Sequence, residues 1–224
     1  HQPRRQRQMC IRDRGNIMAK SQQIVINPPN FQQVKLKVTG LTPLIQNKMK
    51  ETIIQQMEDA RKGKAKKSTR VPFDPKKEYL KSAYLQDDGS FGFPASAFKQ
   101  CAVRAGKGLG LAMTDTRTLF FVLPNAPDGE CVQIKGSKPT MRKDPVNVQG
   151  NKDLRFRPEF RNWKAELLVK FDADRVTVEQ IANLLNHGGQ TVGVGEWRPE
   201  KNGTFGTFQV CLLYTSDAAD EVDG

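Results

Sequence analysis

Trp163 to Gly189 reads WKAELLVKFDADRVTVEQIANLLNHGG. Trp163, Ala165, Leu167, Val169 and Phe171 alternate with Lys164, Glu166, Leu168 and Lys170. This is the period of a strand with one buried and one wet face. Thr177-Val-Glu-Gln180 then has the form of a capping box, in which the threonine hydroxyl and the glutamine amide satisfy each other's backbone N–H groups. Val178, Ile181, Ala182 and Leu185 follow at helical spacing, and Gly188 and Gly189 are placed to cap the far end. The stretch predicts a strand over 163–171 feeding a helix over 177–187.

Downstream, GGQTVGVGEWRPEKNGTFG places six glycines, from Gly188 to Gly206, around a Trp-Arg pair. Glycine takes up positive φ without steric cost and lets backbone N–H groups approach a ligand. Read that way, the loop exposes backbone and contacts an anionic, stackable ligand through Trp197, Arg198 and Lys201. The alternative is a long hairpin-like connection in which the glycines relieve strain and Trp197 covers the edge of the core. Thr204 to Val210 closes the chain's last strand.

Upstream, Val34, Leu36 and Val38 alternate with Gln33, Lys35 and Lys37, giving a strand over 33–39. Ile45, Met49, Ile53, Met57 and Ala60 mark one face of an amphipathic helix, which ends in the basic run from Arg61 to Lys67. Asp74-Pro75 is an N-cap followed by proline at the first helical position, with the helix running to about Leu85. Gly89-Ser-Phe-Gly-Phe93 imitates the RNP1 pattern of RNA-recognition motifs, but Pro94 follows and the segment is expected to open a helix over 94–106 whose apolar side is Phe98, Cys101, Ala102 and Ala105. A strand over 118–123 and a shorter one from Val132 to Ile134 come next. The basic segment carrying Lys135, Lys138, Arg142, Lys143, Lys152, Arg155, Arg157 and Arg161 follows, with few residues for a core. The strongest elements give β-α-β-β-α-β, an α+β chain in ferredoxin-like order, with insertions at 41–93 and 124–161.

The chain has 224 residues, 36 Lys and Arg against 24 Asp and Glu, and a net charge of +12. An excess of that size attracts polyanions and repels copies of the same chain, so nucleic acid is the leading partner class. Cys101 and Cys131 sit in no metal-ligand or redox spacing and read as buried thiols in a reducing compartment. No apolar run reaches the length of a membrane span, and Met18-Ala-Lys-Ser-Gln-Gln is too polar for a signal peptide; a cytoplasmic place in a bacterial host cell is the expectation. Both ends, through MCIRDR at Met9 to Arg14 and CLLYTSDAADE at Cys211 to Glu221, resemble translated sequencing-adapter fragments. Residues 1–17 and 211–224 are therefore expected to be foreign and disordered, and 18–210 to form one domain.

The glycine loop between the second core helix and the last strand, with a basic insertion between the middle strands, resembles the RAMP superfamily. The likeness is greatest to the crRNA-binding backbone subunit of CRISPR effector complexes. That resemblance implies a modified RRM palm, with Lys135 to Arg161 standing at its thumb and Gly193-Val-Gly195, Gly203 and Gly206 at its glycine-rich loop. From VTGLTPLIQNK at Val38 to Lys48, through FGFPASAFK at Phe91 to Lys99 and RFRPEFRNW at Arg155 to Trp163, to the VGVGEWRPEKNGTFGTF segment, the chain also looks like uncharacterised proteins of tailed bacteriophages.

The resulting reading is single-stranded nucleic-acid binding without catalysis, through Lys135, Lys138, Arg142, Lys143, Arg155, Arg157, Arg161 and the loop residues Gly193, Gly195, Trp197, Arg198, Lys201, Gly203 and Gly206. It calls for no cofactor and no metal, and it accommodates a homo-oligomer along the strand. Lys35, Lys37, Lys164 and Lys170 on wet strand faces would make a charged surface, or be ordinarily solvated. His187 sits where a helix end favours a cation, and Asp172 and Asp174 flank a turn where Asp is common. Asp144 and Asp153 lie in the insertion without a local catalytic motif. No Walker A, HExxH, GxSxG or paired CxxC occurs. The alternative is a phage structural or assembly protein with a basic surface.

Overall fold

The computed structural model describes residues 28–63, 74–148 and 151–212. Residues 1–17, the start at Met18, the basic run beyond Gly63 and the end beyond Leu212 lie outside the described residues. The chain is an α+β protein built on antiparallel sheets. In order it forms β1 (Phe31–Gly40), β2 (Leu44–Ile45), α1 (Glu51–Arg61), α2 (Pro75–Lys81), β3 (Phe91–Pro94), α3 (Ala95–Gly108), α4 (Met113–Leu119), β4 (Phe120–Leu123), β5 (Cys131–Lys135), β6 (Thr140–Val148), β7 (Asn151–Phe160), β8 (Lys164–Asp172), α5 (Val178–Thr191), a 3-10 turn (Pro199–Lys201) and β9 (Phe208–Leu212).

Strand β8 is the centre of the main sheet. It pairs antiparallel with β1 along nine residues, from Thr39↔Lys164 to Phe31↔Asp172, and its other edge takes β4 at Leu168–Phe171 and β5 at Lys164–Ala165. β9 lies outside β1 and β3 outside β5. The order across the middle is thus β9, β1, β8, β4, each antiparallel to its neighbour. Alternation fixes what is buried: Leu36, Val38, Ala165, Leu167, Val169, Phe171, Phe208 and Val210 point to one side, where α3 and α5 cover them. Phe98 is the hub of that layer, its ring 5.7 Å from Phe208 and 6.0 Å from Phe93, both edge-on, with Trp163 6.4 Å away. Burying one such ring stabilises by roughly 1.5–3 kcal/mol. The indole N–H of Trp163 donates to the Thr42 carbonyl, so its one polar atom is satisfied inside the core.

The two helices have the expected local chemistry. Asp74 caps α2 by accepting from the Lys76 amide, and the Thr177–Gln180 capping box is formed in full. α2, however, ends at Lys81 rather than near Leu85.

Several expectations are corrected. Gly188 and Gly189 lie inside α5, which runs on to Thr191. They are glycines because their neighbours sit too close: a Cβ at Gly188 would come within 3.0 Å of the Cys101 carbonyl, and one at Gly189 within 2.3 Å of that of Phe208. His187 is accordingly an exposed residue within the helix and not its terminus. Ile45 belongs to β2 and is fully buried, whereas α1, with Ile53 and Met57, buries none of its residues. The four-residue spacing from Ile45 to Met49 had joined a core strand to an exposed helix. Phe91–Pro94 is a strand paired with β5, and the helix expected over 94–106 follows it directly, from Ala95 with Pro94 as its N-cap. The last strand begins at Phe208, because Gly206, at φ +70°, still belongs to the turn. That strand continues through Cys211 and Leu212, opposite Lys37 and Leu36, so the boundary drawn at Val210 falls within it. Ladder hydrogen bonds are backbone bonds and form whatever side chains follow.

Candidate nucleic-acid interface

The basic insertion is a hairpin. β6 and β7 pair from Thr140↔Glu159 to Val148↔Asn151, and with β2 they form a second, three-stranded sheet. Period two places Arg142, Asp144, Arg155, Arg157 and Glu159 on one face. That face is an ion-pair ladder. Arg142 donates from Nε to Asp144 at 2.7 Å and from Nη1 to Glu159 at 3.1 Å. Arg161 donates from Nε to the other Glu159 oxygen at 2.8 Å. Arg157 stands 3.5 Å from Asp144, and Arg155 stands 3.6 Å from Asp153.

Burial makes this ladder energetically serious. Asp144, Arg157 and Glu159 are all nearly inaccessible to solvent. Burial pushes the Glu159 carboxyl up, but the bonds from Arg161 and Arg142 outweigh it and hold the group below the usual carboxylate range. The hydrogen bond to Asp144 raises Arg142 further above its already high value. Among the described residues Nε and Nη1 of Arg157 have no hydrogen-bond partner, and the Asp144 carboxylate at 3.5 Å is the counter-charge that faces it.

The insertion is therefore not a solvated comb of cations, and it does build a small core, with Phe156 and Phe160 buried on its other face. Arg142 and Arg157 are engaged with carboxylates of their own hairpin, whereas Arg155 stays part-exposed beside the exposed Asp153. Arg161 keeps most of its side chain exposed despite its bond to Glu159. Lys135, Lys138 and Lys143 are exposed, and no ion pair holds them among the described residues. Asp144 is consumed by this ladder, while Asp153 is exposed.

The glycine loop is likewise built differently from the expectation. It is sewn down, not open. Val194 N–H donates to Gly206, Glu196 N–H to Ile45, Gly203 N–H to Arg198, Phe205 N–H to Trp197 and Gly206 N–H to Pro43. The glycines serve this tight crossing: a Cβ at Gly203 would come within 1.8 Å of the Trp197 carbonyl, and one at Gly195 within 2.6 Å of that of Ile45. Among the described residues, the amides of Gly195, Trp197, Arg198 and Thr204 are the loop's remaining donors without a protein acceptor. Arg198 is a clamp, giving Nε and Nη2 to Glu200 and Nη1 to the Gly195 carbonyl. Glu200 is shared with Arg104. Lys201 is exposed.

Trp197 is 43% exposed, on a backbone at φ +55° that bulky residues rarely adopt. The surrounding backbone bonds overdetermine that conformation. Loop and hairpin meet at Phe205, whose ring lies 4.6 Å from the Arg142 guanidinium. A continuous series of contacts follows, from the Trp197 carbonyl to Phe205 N–H, from the Phe205 ring to Arg142, and from Arg142 through Glu159 to Arg161. Phe205 was read only as part of a strand. Its signal was an aromatic between two glycines.

Cys101 and Cys131 are buried free thiols, and burial pushes both up to about 12. Among the described residues no group of three or more His, Cys, Asp or Glu could hold a metal ion, and no helix is long and apolar enough to cross a membrane.

No protein-family model matches the chain, and no curated protein matches it. Among solved structures the chain is similar to the crystal structure of Cmr6 from Pyrococcus furiosus, with a TM-score of 0.43 and 10% identity, covering 80% of this chain and 98% of that one. A likeness this distant leaves the site to be argued from its own residues.

Proposed function

We propose that the protein binds single-stranded nucleic acid, performing no chemistry on it, with the hairpin and the glycine loop as one surface. The observation that carries this reading is the Phe205–Arg142 contact, which joins an exposed indole to the exposed cation of Arg161 through a single packed series. Trp197 offers the stacking face, and Arg161, Lys138 and Lys201 supply charge for the backbone. The free amides at Trp197 and Arg198 suit a phosphate oxygen beside the ring. The same reading takes the β-α-β-β-α-β core as ferredoxin-like and RAMP-like, for which the antiparallel order β9, β1, β8, β4 speaks.

Titration of labelled single-stranded oligonucleotides at two salt concentrations tests it. Binding should fall steeply with salt and depend little on sequence. An absence of binding at low salt would refute it.

A second reading, a structural or assembly protein, is favoured by α1. Its Ile53, Ile54 and Met57 are exposed, and no residue of the helix is buried. An apolar helix face of that kind suits contact with another protein.

A further inference from the structure

We propose that the open face of the six-stranded sheet is a second contact surface for single-stranded nucleic acid, with Phe31 and Phe121 as its stacking platforms. The inference rests on the reading of the protein as a nucleic-acid binder, but it names a different surface.

The register defines this face residue by residue. α3 and α5 cover the side to which Leu36, Val38, Leu167, Val169 and Phe120 point. The alternate residues point the other way. Gln33, Lys170 and Phe121 form one row across β1, β8 and β4, and Lys35, Leu168 and Leu123 the next. Lys37 and Glu166 follow, then Thr39, Lys164 and Lys135. Phe31 opens the face at the start of β1, beside Asp172.

Two features mark this surface. Phe31 is 50% exposed and Phe121 43%, both on regular strands and both in reach of a cation. Each ring has an ammonium group near it: Lys170, on the same face, at 4.6 Å from the Phe31 centroid, and Lys99, which comes from α3 past the β4 edge of the sheet, at 4.0 Å from that of Phe121. A base arriving on either ring takes the place of the ammonium on the π-face, and the displaced lysine is left beside the incoming phosphate.

Charge selects the occupant. Lys35, Lys37, Lys135, Lys164 and Lys170 stand on this face against Glu166 and Asp172. In contrast to the hairpin arginines, none of these lysines has an ion-pair partner among the described residues. Unneutralised cations interleaved with two exposed rings fit a chain of alternating phosphates and bases. An acidic polypeptide would use the lysines and leave the rings idle.

The experiment compares three variants with the wild-type chain, each first shown by circular dichroism to melt like wild type. Phe31→Ala/Phe121→Ala removes the rings, Lys35→Glu/Lys37→Glu/Lys170→Glu the charge, and Trp197→Ala/Lys201→Glu the other surface. Should the alanine variant not fold, Phe31→Leu/Phe121→Leu keeps the apolar bulk without the aromatic face. Fluorescein-labelled oligo(dT) and oligo(U) are titrated, and ultraviolet cross-links are mapped to peptides.

Loss of both rings should weaken binding by roughly thirty-fold or more at unchanged salt dependence, whereas loss of the lysines should also flatten the salt dependence. Cross-links should fall on the peptides holding Phe31 or Phe121. Wild-type affinity in both sheet variants, with loss confined to Trp197→Ala/Lys201→Glu, overturns this surface and leaves the hairpin–loop surface standing. Loss in the lysine variant with full affinity in the ring variant also overturns it, since attraction without stacking is then sufficient. A wild-type chain that binds no oligonucleotide, or that binds poly-glutamate in its place, overturns both.

Discussion

Replacing Glu159 by glutamine removes one negative charge from a group whose side chain is 7% exposed, while keeping its shape. Two donors lose their anionic acceptor, Arg142 at 3.1 Å and Arg161 at 2.8 Å, and the glutamine NH2 must face one of them. Charge-assisted hydrogen bonds are worth about 1.5–3 kcal/mol each. The bond to Arg161 contributes the lesser part, because that guanidinium is largely in water and screened. Breaking a buried pair by removing one partner costs about 3–5 kcal/mol, and the partial exposure of Arg142 places Glu159→Gln near the lower figure. At roughly 2–4 °C per kcal/mol for a chain of this size, Tm should fall by about 6–12 °C. Combining it with Arg142→Met in a double-mutant cycle isolates the Arg142–Glu159 term, because the bond that Arg142 also makes to Asp144 is lost in both variants that lack Arg142. The carboxyl is held below its ordinary value when folded, so its contribution is present above the unfolded pKa and lost as pH falls through the folded one. The gap between wild type and Glu159→Gln should therefore close on acidification. A Tm within about 2 °C of wild type at neutral pH would refute the view that this ladder holds the hairpin together.

Gly189→Ala should lower stability by about 1–3 kcal/mol in thermal melts, since its Cβ has only 2.3 Å to the Phe208 carbonyl and backbone must move. Asp128 is pushed up by burial, but bonds from the Cys131 thiol, the Glu130 and Cys131 amides and the Gln86 side chain hold it below the usual carboxylate range. Its contribution is lost as pH falls below about 4, so Asp128→Asn should flatten the acid limb of a Tm–pH profile. Trp197→Gly should be no less stable than Trp197→Ala, because glycine relieves the positive φ, and both should weaken oligonucleotide binding in a titration while the protein stays folded.

Where one local rule decided an element, it was legible in the sequence. Strand alternation gave β1 and β8, the capping box gave the start of α5, and Asp74-Pro75 gave that of α2. What stayed hidden was decided across space. Gly188 and Gly189 read as a helix cap because nothing in the chain announces that α3 and β9 pass within contact of them. Arg142 and Arg157 read as a phosphate comb because their cross-strand partners Glu159 and Asp144 become neighbours only once the hairpin register exists, whereas Asp144 beside Arg142 and Asp153 beside Arg155 already stand two residues away on the same strand. The acids were in view as well; the pairing was not. Exposure of Trp197 followed from its loop, but the clamp on Arg198 depends on Glu200 folding back over it.

This redistribution of charge bears on where an anion would go. The chain carries +12, yet the arginines of the insertion spend much of theirs on internal carboxylates. A potential that attracts polyanions must then come from cations without partners, which stand at the edges of the hairpin and on the open sheet face. Arginine in a buried ladder fixes geometry through several directed bonds, whereas lysine on an exposed strand keeps a mobile point charge. The division follows that chemistry, with arginines shaping the hairpin under Phe205 and lysines left to meet the ligand. Reversing the exposed lysines should therefore change binding with little effect on stability, and removing Arg157 from the buried part of the ladder should do the opposite.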